Sequence, residues 1–264
     1  MHIEFSYRET WLHRVNPSLK LFVCLALFFF VLFTHNPSVM LNVAAAAVLV
    51  LFSGSGHPGK RLALYALPAL LLFVSSSTSM IFYGKGETTW LKWGIVHVTE
   101  ESFYRGMQVG MKSLSFAFVG LLFALTTRPV YLFYSLMQQC RVKPKYAYSF
   151  MAAMRLLPIM IEEFQTLRHA LAVRGVGREK GLAGLYRKMK AYAVPMLAQS
   201  IRRAQRIAVA MEAKRFVGDS RRTYYYEIGF SPADAAFVAG TMALCAAAYM
   251  AGVLLPYFPV TDVR

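Results

Sequence analysis

Charged side chains are scarce in this sequence of 264 residues. Asp, Glu, Lys and Arg make up 16% of it, against 57% hydrophobic residues. Soluble domains carry about a quarter charged residues, so the composition favours an integral membrane protein. Acidic residues are fewer than basic ones: 13 Asp and Glu stand against 29 Lys and Arg, which gives a net charge of +16. Such a balance fits nucleic acid, anionic lipid or an acidic protein partner, and the location of the charge decides among them.

Cysteine is also scarce. Cys24, Cys140 and Cys245 are odd in number, far apart and in no CxxC spacing. This pattern excludes a disulfide framework and a cysteine metal site, and we expect reduced packing residues. The first 20 residues lack a short apolar core with a small-residue cleavage site. We therefore expect no cleaved signal peptide and an insertion signal within the first spanning helix.

Catalytic and ion-coupling groups are missing from the apolar stretches. The six histidines are scattered, and Asp234, near the end of a stretch, is the sole acidic residue within one. Ion-coupled transporters generally need such groups inside the membrane, so secondary transport by this chain alone is disfavoured. The run SSSTS at 75–79 favours helix–helix hydrogen bonding, with a substrate path as the alternative.

One stretch resembles a nucleotide-binding loop. GSGHPGKR at 54–61 fits GxxxxGK but ends in Arg61, where a Ser or Thr would bind magnesium. It also joins two apolar stretches, whereas a phosphate-binding loop joins a strand to a helix. We interpret it as a basic turn. No cofactor and no metal is expected.

Five apolar stretches predict about five transmembrane helices and an all-α integral membrane protein. The first two are short, interrupted by a turn at 34–38, and are interpreted as a tight helical hairpin; one span broken at Pro37 would centre a polar turn in hydrocarbon. Lys20, within the first, is expected to snorkel to the interface. The stretches are 19–33, 39–52, 62–83, 107–127 and 233–255.

The positive charge lies in one block. Residues 128–223 hold 19 Lys and Arg against 5 Asp and Glu, so the block carries +14 of the whole chain's +16. The positive-inside rule then predicts a cytoplasmic block, a cytoplasmic N-terminus and an external C-terminus. Insertion and contact with membrane lipid explain this charge, so no nucleic acid partner is expected. The sequence is therefore predicted to have three regions. Four transmembrane helices lie in 1–127, the cytoplasmic block is 128–223, and the last transmembrane helix with a short external tail lies in 224–264.

The block is helical by period and contains two similar helix ends. Apolar residues recur at spacings of three and four along 150–171 and 197–211. Pro195 either starts the second helix or lies inside a longer one from Leu182. The first pattern ends at Val173, Arg174 and Gly175 and the second at Ala213, Lys214 and Arg215, with Gly177 and Gly218 close behind. Cations near a helix C-terminus are favourable in themselves. Two similar cationic ends in one block also suit two similar partner pockets.

At these residues the sequence resembles a known family, the transmembrane T components of energy-coupling factor (ECF) transporters. LHRVNPSLKL at 12–21 is similar to the family's Leu-His-x-x-Asp-Pro-x-x-Lys-Leu, and RLLP at 155–158 to its Arg-Phe-Ile-Pro. The stretch 195–216 resembles its last coupling helix, which runs to Met-Glu-Ala-Arg-Gly-Phe. The family's Ala-Arg-Gly corresponds to Val173-Arg174-Gly175 and to Ala213-Lys214-Arg215. In the second, Lys214 holds the arginine position and Arg215 the glycine position.

The resemblance implies a non-catalytic subunit in a bacterial cell membrane. The six residues 173–175 and 213–215 would dock two ATPase domains, on one chain or two, and the membrane helices would hold a small substrate-binding S component. ATP-driven closure would move the coupling helices and release a vitamin or metal inside. The opening YRETW at 7–11 suggests the subgroup linked to thiamine or hydroxymethylpyrimidine.

Two alternative functions belong to other classes. An ordinary ABC permease would carry the substrate itself and needs a polar path lined by several helices, for which only the serine run is a candidate. A membrane-embedded lipid enzyme needs an interfacial acid–base or metal cluster, and the sequence shows none.

Overall fold

The computed structural model describes residues 9–84, 88–93, 96–175, 181–216 and 223–258. Helices dominate the described residues, and one pair of short strands accompanies them. In chain order the elements are α1 (Trp11–Arg14), α2 (Pro17–Phe33), α3 (Pro37–Gly54), α4 (Gly59–Tyr83), β1 (Thr89–Trp93), β2 (Val96–Thr99), α5 (Glu100–Thr126), α6 (Pro129–Gln139), α7 (Pro144–Val173), α8 (Leu182–Ala213) and α9 (Pro232–Leu254).

The predicted fold class, an all-α integral membrane protein, is confirmed. Helices α3, α4, α5 and α9 are each long and apolar enough to cross a membrane, and α2 is a shorter apolar helix of 17 residues. These five helices coincide with the five predicted stretches. The long helices α7 and α8 lie between the fourth and the last of them, as expected.

The strands are a local departure from the prediction. Strands β1 and β2 form an antiparallel hairpin between α4 and α5, outside the five predicted apolar stretches. Threonine, valine and tryptophan, which favour strands, recur in this segment. The hairpin is small and leaves the helical class unchanged.

The chain divides into two compact units. The membrane unit comprises Met1–Leu132 and Ile228–Arg264, and the coupling unit comprises Phe133–Glu227. The membrane unit contains the five apolar helices, whereas the coupling unit contains α7, α8 and most of α6.

An Asn-Pro-Ser triplet starts each of the first two apolar helices. Asn16 and Asn36 are the N-caps of α2 and α3, and each side-chain oxygen accepts a hydrogen bond from the backbone N–H two residues later. The proline that follows each cap has no N–H to leave unsatisfied. The turn predicted at 34–38 is therefore a helix end followed by a new helix start.

Helix α5 is the centre of the membrane unit, with α2, α3 and α4 packed against it. Glycine allows the closest approach: a Cβ atom at Gly106 would lie 2.8 Å from the carbonyl oxygen of Ser77 on α4. Gly252 of α9 has the same role against α3, since its Cβ would lie 2.7 Å from the backbone nitrogen of Val39. Small residues at helix contacts are typical of membrane proteins, where close packing replaces the hydrophobic effect between helices.

The predicted tight hairpin of α2 and α3 is wrong in its packing. The two helices meet near their linker, where Val31 and Val39 belong to one buried cluster. Farther along they separate around an apolar cavity of about 180 Å³, which α5 and α9 also line. Ala46 and Ala47 of α3 line this cavity together with Cys24 and Leu27 of α2.

Lys20 does not snorkel to the surface. Its side chain is buried, with 2% of the residue exposed, and its Nζ donates a hydrogen bond to the carbonyl oxygen of Thr126 at 3.0 Å. Thr126 is the last residue of α5, so the ammonium group stabilises a helix C-terminus, where unpaired carbonyls carry partial negative charge. The expectation that Lys20 reaches the interface is wrong because its ammonium group has an acceptor inside the protein, the carbonyl oxygen of Thr126.

Asp234 joins the two ends of the membrane unit's sequence. Its Oδ1 accepts from the backbone N–H of Asn16 and its Oδ2 from that of Ser231, both at 2.7 Å. The carboxylate is 3% exposed and completes the N-terminal cap of α9. The one acidic residue of the apolar stretches is therefore held by structural hydrogen bonds.

Candidate interaction site at two helix ends

Helices α7 and α8 pair in opposite directions within the coupling unit. Ser200 donates to the sulfur of Met160 at 3.3 Å, and Arg203 forms an ion pair with Glu163. The rings of Phe164 and Tyr192 are 5.4 Å apart. Both helices contain an internal proline, Pro158 or Pro195. The sequence left two possibilities for Pro195, and the structure places it inside a longer helix that begins at Leu182.

The first helix end is a C-cap made by Arg174 and Gly175. Arg174 is the C-cap of α7, with φ −76° and ψ 0°. Gly175 follows with φ +71°, and its N–H donates to the carbonyl of Ala172 at 3.1 Å. Gly175 is therefore the left-handed terminator of α7, a conformation that glycine adopts without steric cost.

The second helix end closes in the same way with different residues. Lys214 is the C-cap of α8, and Arg215 follows in the left-handed region with φ +52°. The N–H of Arg215 donates to Glu212 at 2.8 Å and that of Phe216 to Met211 at 2.9 Å. These two bonds are the complete pattern of a Schellman motif. At the second end an arginine holds the left-handed position that glycine holds at the first. Gly177 and Gly218 lie outside the described residues.

The backbone geometry aligns the two ends residue by residue. Lys214 corresponds to Arg174 as the C-cap, and Arg215 corresponds to Gly175 as the left-handed residue. All six predicted site residues are exposed, with Val173 at 89%. Among the described residues, no side-chain hydrogen bond or ion pair involves Arg174, Lys214 or Arg215. Their cationic groups are accordingly available to a partner.

The two ends lie far apart along α7. Phe216, next to the second end, packs edge-on against Tyr148 in the first part of α7, with ring centroids 5.6 Å apart. Arg174 is at the opposite end of the same helix. Residues 148 and 174 of a helix are separated by roughly 39 Å at 1.5 Å per residue. One compact pocket cannot bind both ends, so two sockets are required.

A shallow groove leads along α8 to the second end. Arg202 and Arg206 line it together with Val209 and Ala213. Neither arginine was predicted as part of the site. Phe216 was also not predicted as a site residue. Its position directly after Lys214-Arg215 was the available signal, because Schellman motifs commonly have an apolar residue there.

The other candidate sites gain little support. The loop around Gly56 joins α3 to α4, two apolar helices. In the serine run, Ser76 donates to Phe73 of its own helix at 3.2 Å, and Ser77 is buried against α5. Ser75 and Ser79 line an open groove between α4 and α5. In the described part of the chain, no group of three or more His, Cys, Asp or Glu could hold a metal ion.

Comparison with known proteins defines the class. The sequence profile of the family described as "Cobalt transport protein", CbiQ, matches residues 8–225. Similar proteins named "Energy-coupling factor transporter transmembrane protein EcfT" occur in Bacillus selenitireducens and Macrococcus caseolyticus. The first is 28% identical over 257 residues, covering 92% of this chain and 93% of the relative. The second is 24% identical over 238 residues, covering 86% and 88%.

A relative of the same name from Thermotoga maritima is 24% identical over 237 residues, covering 87% of this chain and 86% of its own. Fold, profile and relatives agree on a membrane subunit of a transporter. The chain belongs to the CbiQ family of ECF transporter T components. These components are non-catalytic transport subunits, and ATP hydrolysis takes place in partner ATPases.

Proposed function

We propose that this T component docks two ATPase domains through its two helix ends, Val173-Arg174-Gly175 and Ala213-Lys214-Arg215. One observation carries the proposal: two exposed cationic C-caps of the same backbone geometry lie at opposite ends of α7. Cationic groups that lack internal acceptors suit carboxylates or backbone carbonyls of a partner.

The distribution of charge supports a cytoplasmic location for these ends. Arg14 and Arg128 lie at the end of the membrane unit where Lys20 contacts Thr126. Glu100 and Glu101 begin α5 at its other end. By the positive-inside rule, the end with the arginines faces the cytoplasm. The N-terminus and residues 128–223 are then cytoplasmic, and the C-terminus is external.

The pairing of α7 and α8 supports a role in transmitting motion. The helices are joined near their middles by the Arg203–Glu163 pair and by Ser200 against Met160. The two cationic helix ends are roughly 39 Å apart along α7 and lie far from these contacts. When the ATPases close around ATP, the docked ends move together and the angle between the helices changes. That change is passed to the membrane-embedded partner.

The exposed apolar face of α7 supports an apolar partner, the S component. Leu157 is 53% exposed and Ile161 is 58% exposed, although both are large aliphatic residues. Such a face is costly in water and is typical of an interaction surface. The S component binds the cargo, for which we propose a vitamin of the thiamine or hydroxymethylpyrimidine type from the resemblance at 7–11; Tyr7 and Arg8 lie outside the described residues.

Charge reversal at both ends tests the docking. The variant Arg174→Glu, Lys214→Glu and Arg215→Glu is expected to insert into the membrane and to lose co-purification with ATPase subunits in mild detergent. The control reverses three exposed lysines of the same unit outside both ends, Lys143→Glu, Lys188→Glu and Lys190→Glu. It makes the same change in net charge and should retain the ATPases. Retained ATPases and ATP-dependent uptake in the first variant would show that the docking role is wrong.

A further inference from the structure

Arg215 has an unusual backbone conformation for a side chain of its size. Within the described ranges, the non-glycine residues with positive φ are Arg141, at 53°, and Arg215, at 52°. The left-handed region brings Cβ too close to the following carbonyl oxygen, so residues other than glycine rarely adopt it. Arg215 is exposed and makes no side-chain hydrogen bond or ion pair to another described residue, so this conformation calls for a functional reason.

The internal packing of the two ends does not explain why one has glycine and the other arginine. Among the described residues, a Cβ atom at Gly175 would meet nothing within 4 Å, so these residues leave room for a side chain. Arg215 is likewise exposed. The difference therefore concerns what approaches from outside. The first end offers a bare backbone beside one guanidinium group, and the second offers a guanidinium and an ammonium group side by side.

These two surfaces require different sockets. A partner can approach the backbone at Gly175 closely, whereas the side chain of Arg215 prevents the same approach at the second end. Burying two adjacent cations without counter-charges would be strongly unfavourable. A guanidinium group matches a carboxylate through two parallel hydrogen bonds, while an ammonium group acts as a compact point charge.

We propose that Arg215 is a specificity-determining contact, so that the two helix ends recognise two non-equivalent ATPase sockets. The socket for the second end is wider at the position of Arg215 and carries at least one carboxylate there. The inference rests on the proposed docking of ATPases. It adds that the second end is not a weakened copy of the first, and that the ends are not interchangeable.

Three variants separate the contact from the backbone strain. Arg215→Gly relieves the strain and removes the guanidinium group. Arg141→Gly is the matched control, because it relieves the same strain at the end of α6, outside the proposed contact. Gly175→Arg places the second end's residue at the first end. Each is purified in mild detergent with the ATPase subunits that assemble with the wild-type chain.

We expect Arg215→Gly and Arg141→Gly to raise the unfolding temperature of the detergent-solubilised chain alike. Only Arg215→Gly should weaken ATPase binding, by about tenfold and with a shallower salt dependence, as for the loss of one central charged contact. Gly175→Arg should also weaken binding, because the first socket has no room for the side chain. If Arg215→Gly bound the ATPases as well as wild type at low and high salt, the inference would be overturned.

Crosslinking tests the non-equivalence directly. Val173→Cys and Ala213→Cys are introduced separately into a chain whose exposed cysteine is removed by Cys140→Ser. Each introduced cysteine is crosslinked in the assembled complex, and the ATPase peptides are identified by mass spectrometry. Two different peptides support the inference, and the same peptide from both cysteines contradicts it. If no complex forms even with wild type, or if charge reversal leaves it intact, the docking proposal fails instead.

Discussion

The membrane unit and the coupling unit are stabilised in different ways. The membrane unit has three buried apolar clusters, and polar contacts connect residues more than 100 positions apart, such as Asn16 with Asp234. The coupling unit has few buried residues, and large aliphatic side chains of α7 and α8 remain exposed, including Leu197 and Ile201. The membrane unit therefore buries its apolar side chains internally, whereas the coupling unit leaves large apolar side chains exposed.

The largest stability effect is expected from Asp234→Ala in the membrane unit. The change leaves the buried backbone N–H of Asn16 and the partly buried backbone N–H of Ser231 without their acceptor. Each buried unsatisfied donor costs about 1–3 kcal/mol, so we expect a total loss of about 3 kcal/mol in the free energy of unfolding. Asp234→Asn, which keeps one acceptor oxygen, should lose less. Thermal unfolding in detergent measures both variants. Equal stability of Asp234→Ala and wild type would show that these hydrogen bonds do not stabilise the membrane unit.

An intermediate effect is expected from Gly252→Ala. The new methyl group would lie 2.7 Å from the backbone nitrogen of Val39, so α9 must move away from α3 at a cost of about 2 kcal/mol. Gly240→Ala on the same helix is the control, because its Cβ would meet nothing within 4 Å. It should be neutral or slightly stabilising, since alanine favours helices. A smaller loss for Gly252→Ala than for Gly240→Ala would contradict the close packing of these helices.

The smallest stability effect is expected from Leu157→Ser and Ile161→Ser in the coupling unit. Both side chains are more than half exposed, so each change should alter the free energy of unfolding by less than about 0.5 kcal/mol. Assembly with the membrane-embedded partner should nevertheless weaken, and native mass spectrometry of the purified complex would measure it. Large destabilisation of the isolated chain would show that this face packs internally, and the contrast between the two units would then be smaller.

The sequence alone determined the features that depend on local pattern. Hydrophobic period and length located the five apolar helices and the two long helices between the fourth and the last. Local capping chemistry predicted the end of α7 at Arg174 and Gly175. These features depend on residues within a turn or two of one another, so the order of amino acids is sufficient to specify them.

Tertiary structure decided the features that depend on which distant residues meet. The sequence predicted exposure of Lys20 at the interface, but the end of α5 supplies a buried acceptor for it. It also predicted tight packing of α2 on α3, but the two helices are separated by a cavity that α5 and α9 also line. The family pattern already aligned Lys214 with Arg174, but the left-handed backbone of Arg215 became visible only in the structure, because this conformation cannot be recognised from neighbours in sequence. Such features depend on the three-dimensional position of acceptors, voids and backbone angles, which a one-dimensional pattern does not contain.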